Sequence, residues 1–294
     1  MELLTRHQLT QLADPEWQIE RLFPTASFVV LYGPSGHGKS FVALDWAFHL
    51  ATGKSWHGLT VKQGPVIYIA AEGRGGLRQR VEAWTTHYRP THDPVYFSLQ
   101  PLDILGDGPE ELLGTCATFI LNPDEPEVDL APGLIIVDTL ARCFTGDENE
   151  TADMARFVQG VDLIRKELCA TVMVVHHVGK DWSRGERGSS VLRGAADTMI
   201  RMARNKQDDS MLLKCSKQKD AVEFEDITLR LLPVGDSCII APGHTMEQAL
   251  KIVESEPNLS IRGKARKIAE LTGLSAENCR NWLRGLEQTK RRTS

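Results

Sequence analysis

The ten residues Leu31-Tyr-Gly33-Pro34-Ser35-Gly36-His37-Gly38-Lys39-Ser40 restrict the fold more than any other part of the chain. They spell a GxxxxGK(S/T) loop, preceded by the apolar run Phe28-Val29-Val30-Leu31 and followed by Phe41–Leu50, which reads as helix. A buried strand, a glycine-rich turn and a helix N-terminus gather backbone N–H groups and the positive end of a helix dipole around one point. An anionic pyrophosphate fits such a point. Gly33, Gly36 and Gly38 permit the close backbone approach that a Cβ would block. The residues expected to contact nucleotide are therefore Gly33, Pro34, Ser35, Gly36, His37, Gly38, Lys39, Ser40 and Phe41, with ATP and Mg²⁺ as ligands. Lys39 is expected at the β- and γ-phosphates and Ser40 on the metal.

A chain of 294 residues, 41% hydrophobic and 25% charged, has room for one large α/β domain and something small beside it. No apolar run approaches the length of a membrane span, and Met1-Glu-Leu-Leu-Thr-Arg lacks a secretory apolar segment, so the expected location is the cytoplasm. Cysteines 116, 143, 169, 215, 238 and 279 show no CxxC spacing and read as reduced, mostly buried thiols. The net charge of −5 conceals an asymmetry. Residues 246–294 carry ten Lys or Arg against six Glu, leaving 24 basic against 33 acidic residues before them. A basic tail on an acidic body suggests a segment that meets phosphate.

Along the chain, residues 1–22 read as a lead-in packed against the next domain. Residues 23–241 alternate strand and helix: continuous apolar strands at 65–71, 95–99, 134–138 and 171–175, with helices at 39–52, 77–87, 110–120 and 151–168. Four later strands are expected near 198–203, 210–216, 227–232 and 237–240, antiparallel pairing being one option. Continuous apolar strands belong in sheets covered on both faces, which gives an α/β class with a mainly parallel sheet flanked by helices. Residues 246–294 read as a small all-α unit with helix-turn-helix spacing, Ser275 capping a second helix that exposes Asn278, Arg280, Asn281 and Arg284. That helix suits a duplex-DNA contact, or a contact with a partner protein or neighbouring subunit.

Triphosphate hydrolysis also needs a carboxylate for the metal, a water-positioning base, a sensor and a cation for the transition state. Asp138 ends the strand Leu134-Ile-Ile-Val and is the expected metal acid, with Ser40. Glu72 ends the strand at 65–71 and is the expected base. His176 and His177, adjacent on an extended strand, point to opposite faces and cannot readily share one metal, so one of them is the sensor candidate. The Gly- and Arg-rich segment with Lys180, Arg184, Arg187, Ser189 and Ser190 suits a grip on a phosphodiester backbone. Lys214 to Asp220 reads as a connection between two late strands, whose lysines can project into a neighbouring subunit's site.

These motifs, in this order, resemble the RecA-like ATPases of the hexameric replicative helicase group, plasmid RepA-type branch, frequent in phages and mobile elements. The resemblance runs from about Phe23 to Leu232. Gly33–Ser40 matches Walker A, Ala71-Glu72 the motif with the catalytic glutamate, and Asp138-Thr-Leu-Ala-Arg142 Walker B with its following loop. Val175-His-His177-Val-Gly-Lys180 matches the third motif, and Arg187-Gly-Ser-Ser190 the segment beside the central channel. Lys217-Gln-Lys219-Asp220 is similar to the element that carries trans-acting fingers, with lysine where the family has arginine. The resemblance implies a ring, usually hexameric, with ATP between subunits and single-stranded DNA in the pore. It makes Lys217, Lys219 or a residue such as Arg201 the cation given in trans, His177 the sensor, and Arg142 and the channel segment the DNA contacts. The alternatives are an ATP-switched DNA-binding regulator, a helicase loader, or a RecA-like recombination mediator.

Overall fold

The computed structural model describes residues 3–11, 15–120, 131–177, 190–205, 209–243, 246–255, 259–272, 279–284 and 286. A short helix α1 (Arg6–Leu9) and a hairpin of β1 (Trp17–Ile19) and β2 (Phe23–Pro24) precede the main body. The body is one nine-stranded sheet: β3 (Phe28–Gly33), β4 (Val66–Ala70), β5 (Val95–Ser98), β6 (Leu134–Asp138), β7 (Thr171–His177), β8 (Thr198–Arg204), β9 (Met211–Gln218), β10 (Ile227–Val234) and β11 (Ser237–Pro242). The spatial order is β11-β10-β9-β8-β3-β7-β6-β4-β5. β8, β3, β7, β6, β4 and β5 run parallel, and β9, β10 and β11 continue the sheet antiparallel. The class is α/β with a mainly parallel sheet, as the sequence indicates.

Alternation along the buried strands explains why both faces are covered. Val29 and Leu31, Tyr68 and Ala70, Ile136, and Met173 and Val175 join the core beneath α2 (Lys39–Thr52) and α3 (Arg74–Tyr88). Phe28, Val30 and Tyr32, Ile135 and Val137, and Val172 and Val174 join the opposite core beneath α4 (Gly108–Ile120), α5 (Thr151–Leu168) and α6 (Ser190–Ala195). Side chains two apart share a face, so one apolar run supplies both cores.

α2 buries eleven of its fourteen residues, charged members included. Asp45 lies inside, where its carboxylate accepts hydrogen bonds from the indole N–H of Trp56 (2.8 Å) and Trp84 (2.9 Å). Burial raises its pKa to about 7 against the pull of those donors, and burial lowers the neighbouring His49 to about 4. The arrangement ties α2 to α3 and to the turn at Trp56, and so fixes the helix whose first residue is Lys39.

Two sequence expectations are corrected. Ile19, Leu22 and Phe23 pack into the core, but Leu3 and Leu4 of the lead-in are exposed. The strand expected near 210–216 is β9, with Met211, Leu213 and Cys215 alternating inward, but it runs on through Lys217 and Gln218, which are not part of a connection. The four later strands pair antiparallel with one another, the option left open by the sequence, and β8 joins them to the parallel part of the sheet by pairing parallel with β3. Beyond the sheet, α7 (Met246–Glu254) and α8 (Ile261–Thr272) share a cluster of Ala249, Val253, Ala265 and Ile268 with Cys279 and Leu283 of the helical residues 279–284. α8 begins at Ile261, where a break is expected from the sequence; Ser275 lies outside the described residues.

Candidate functional site

Four strand ends converge on one cleft. β3 delivers the glycine loop, β7 pairs beside it with His177 opposite Gly33, β6 brings Asp138, and β4 ends just before Glu72. The backbone N–H groups of Ala71 (2.9 Å) and Glu72 (3.2 Å) donate to the carbonyl of Asp138, which sets the two acids side by side. α2 starts at Lys39 after Gly38, whose left-handed backbone (φ +89) provides no side-chain cap. Its N-terminal N–H groups therefore suit an anion. Gly36 (φ +76) has open space where a Cβ would stand, as a phosphate cradle requires.

Lys39 is almost fully buried. Its Nζ donates to the carbonyls of Gly33 (2.8 Å) and Pro34 (2.9 Å) and to Nδ1 of His177 (2.8 Å). Burial lowers its pKa to about 8, against the attraction of Asp138 and Glu72. An ammonium has only donors, so Nδ1 of His177 must accept, and the proton of the neutral ring sits on Nε2. Burial, and secondarily Lys39, lowers the His177 pKa and favours that neutral form. Nε2 in turn stands 3.7 Å from Oε2 of Glu72, and that oxygen accepts a hydrogen bond from Thr139 Oγ1 at 3.2 Å. Lys39 is thus hydrogen-bonded to His177, and Glu72 stands beside the far side of the same ring. His176 is buried and faces away.

Asp138 Oδ2 accepts from the Tyr68 hydroxyl at 2.7 Å, while Oδ1 is buried without a hydrogen-bond partner. Burial raises the Asp138 pKa, and the hydroxyls of Tyr68 and Ser40 work against that rise. An unmatched buried carboxylate oxygen beside a serine hydroxyl fits a hydrated Mg²⁺ held by Ser40 and Asp138 with phosphate oxygens. Among the described residues no group of three His, Cys, Asp or Glu forms a metal cage, and a triphosphate-borne Mg²⁺ needs none.

Sequence reasoning missed three residues here. Tyr68 anchors Asp138 from the middle of β4. Arg80 and Arg204 line the cleft from α3 and the end of β8. The backbone N–H of Arg204 donates to Nδ1 of His37 at 2.9 Å, which ties the loop to β8 and gives His37 a structural task. Nothing in the sequence marks these arginines, since each reaches the site only through helix packing or strand pairing.

A family model described as AAA domain matches residues 1–183, well over half of the chain. The chain belongs to the AAA domain family. It is a RecA-like P-loop ATPase, and nucleotide hydrolysis is the activity that this domain implies. The fold is similar to the crystal structure of a KaiC-like protein from the hyperthermophilic archaeon Pyrococcus horikoshii OT3. The TM-score is 0.50 at 12% identity, over 78% of this chain and 96% of that one.

Elsewhere in the AAA-family chain the expected residues are not gathered at the cleft. Lys217 donates to the carbonyls of Arg193 (2.7 Å), Gly194 (3.0 Å) and Ala196, closing the C-terminal end of α6. Lys219 stands 3.4 Å from Oδ1 of Asp197. β8 runs parallel to β3 and β9 runs back, so both lysines lie at the end of the sheet remote from the glycine loop. Over the seven residues of β8 that separation is about 20 Å. Arg142 is exposed in the short 3₁₀ turn Leu140–Arg142 after Asp138, and Ser190 is exposed at the start of α6. Lys180, Arg184, Arg187 and Ser189 lie outside the described residues. Arg280 shares a cleft with Ser260, Arg262 and Arg266, and Arg284 is exposed. No described helix is long and apolar enough to cross a membrane.

Proposed function

We propose that this chain is an ATP-hydrolysing, ring-forming DNA motor of the replicative-helicase kind that acts on single-stranded DNA. One observation carries the reading: the glycine loop, Glu72, Asp138 and His177 occupy one end of the sheet, and Lys217 and Lys219 the other. Within one chain these groups cannot meet. Between neighbouring copies they can, so the site is complete when copies of the chain assemble, with six as the proposed number.

In the proposed cycle the glycine loop and Lys39 hold ATP. Ser40 and Asp138 would hold the nucleotide's Mg²⁺, which would supply positive charge against the phosphate oxygens. Glu72 orients a water whose oxygen bonds to the γ-phosphorus while the bond to the β,γ-bridging oxygen breaks; the water's proton passes to Glu72, and ADP and phosphate result. A lysine from the neighbouring copy, Lys217 or Lys219, stabilises the transition state. His177, hydrogen-bonded to Lys39 and standing beside Glu72, reports the nucleotide state towards the DNA contacts proposed for Arg142, Ser190, Lys180, Arg184, Arg187 and Ser189.

Glu72→Gln is expected to lower DNA-stimulated ATP hydrolysis about 10²–10⁴-fold while ATP binding persists. Full activity in that variant would refute the base. Strand displacement with ATP tests the motor. The basic helices around Arg280 and Arg284 favour a second reading, an ATP-switched loader or regulator; sequence-specific duplex binding without unwinding would decide for it.

A further inference from the structure

Among the described residues, the cleft contains one cation that neither the hydrolytic cycle nor an ion pair uses. Arg80 is half-buried on α3, and its guanidinium carbon stands 4.5 Å from the centroid of the Phe41 ring. Two other arginines nearby are matched by carboxylates: Arg78 by Glu82 at 2.6 Å and Arg204 by Asp209 at 3.2 Å. Among the described residues no carboxylate lies within 4 Å of the Arg80 guanidinium, although Glu72 and Asp138 line the same cleft. A planar, permanently charged group rests on an aromatic face instead.

The position of that face matters. Phe41 follows Ser40 directly, so Arg80 rests against the first turn of the helix that presents its N–H groups to phosphate. Side chains on a helix lean towards its N-terminus, which on α3 is the Glu72 end, so the guanidinium reaches up into the cleft. The charge balance supports the same conclusion. Glu72 and Asp138 bring two negative charges, and of the other cations that line the cleft Lys39 is held by Gly33, Pro34 and His177 and Arg204 by Asp209. A cation–π contact is weak enough to be exchanged for charge-assisted, bidentate hydrogen bonds to phosphate oxygens.

We propose that Arg80 is a second triphosphate-binding cation, supplied by the chain to its own site, which rests on Phe41 and moves onto the phosphates when nucleotide enters. This rests on the ATPase reading above, and the test separates the two. Full-length protein is titrated with a fluorescent ATP analogue and its ADP counterpart in the presence of Mg²⁺, as wild type, Lys39→Ala, Arg80→Ala, Arg80→Lys and Phe41→Leu. Arg80→Ala is expected to weaken ATP binding about tenfold or more and ADP binding less, with partial recovery in Arg80→Lys. Phe41→Leu removes the resting place while keeping the cation, and is expected to tighten ATP binding about two- to fivefold. If Lys39→Ala loses ATP while Arg80→Ala binds both nucleotides as wild type does, the role of Arg80 is refuted and the site stands. If Lys39→Ala binds ATP normally, the site itself is misassigned and the proposal fails with it. Should Arg80→Ala not fold, Phe41→Leu decides alone: unchanged or weaker ATP binding overturns the resting contact.

Discussion

Replacing Gly33 by alanine would place a methyl carbon 2.1 Å from the carbonyl oxygen of Met202, on the neighbouring strand β8. Relief to the closest tolerated approach requires β3 and β8 to part by about 1 Å at the last rungs of their pairing, in the middle of a fully buried sheet. Overpacking of that kind costs about 1–3 kcal/mol, and an L-residue forced to hold φ +154 adds about 1–3 kcal/mol. Together these reach about 2–6 kcal/mol, or about 5–20 °C in melting temperature for a domain of this size. Gly36→Ala is the contrast. Its Cβ meets nothing within 4 Å, so only the backbone at φ +76 resists, at about 1–2 kcal/mol. That same open space is where phosphate belongs, so Gly36→Ala should abolish nucleotide binding in a protein that remains folded. Urea and thermal unfolding followed by the fluorescence of Trp46, Trp56 and Trp84, all buried around α2, measures stability, and nucleotide titration measures the site. Equal destabilisation by the two substitutions, or normal ATP binding in Gly36→Ala, would refute the reasoning.

Burial holds Lys39 at about 8 in the folded protein against 10.5 ordinarily, so between those values the unfolded chain binds the extra proton. Stability of the nucleotide-free protein should therefore gain a rising contribution from pH 8 to 10.5, seen as a difference in urea midpoints that Lys39→Met abolishes. ATP affinity should fall over the same range, because the lysine must regain its proton to meet phosphate; a flat affinity profile would contradict the burial. Lys217 and Lys219 should separate by assay. Lys217→Ala removes the donor to three carbonyls at the end of α6 and should lower the melting temperature. Lys219→Ala should leave stability nearly unchanged and reduce turnover only in the assembled protein, as measured by ATPase rate against subunit concentration. Reversed behaviour would move the trans cation to Lys217.

Sequence alone was enough for the elements that rest on local regularity. Eight positions from Gly33 to Ser40, bracketed by apolar strand and helix, specify a phosphate loop because loop, strand end and helix start are contiguous. Asp138 and Glu72 were legible for a related reason: an acid directly after a run of apolar residues marks the end of a buried strand, and parallel strands share that end. Helix α5 was readable to the residue because Met154, Phe157, Val161 and Ile164 repeat at helical spacing. The misread residues, Lys217 and Gln218, show where such regularity fails, since the alternation of buried and exposed residues along β9 ends at Cys215 and the partners of Lys217 lie on another element.

What only the tertiary structure decided is which distant groups meet. Tyr68 reaches Asp138 across 70 positions, and Nδ1 of His177 receives Lys39 across 138, fixing the proton on Nε2. Arg80 enters the cleft through the lean of α3, and Lys217 closes a helix that precedes it in the chain. None of these contacts has a period or a motif in the sequence. Local patterns encode which face of an element is apolar, whereas the meeting of polar groups depends on strand order and on which helix packs above, and those are set by burying the two faces of the sheet together.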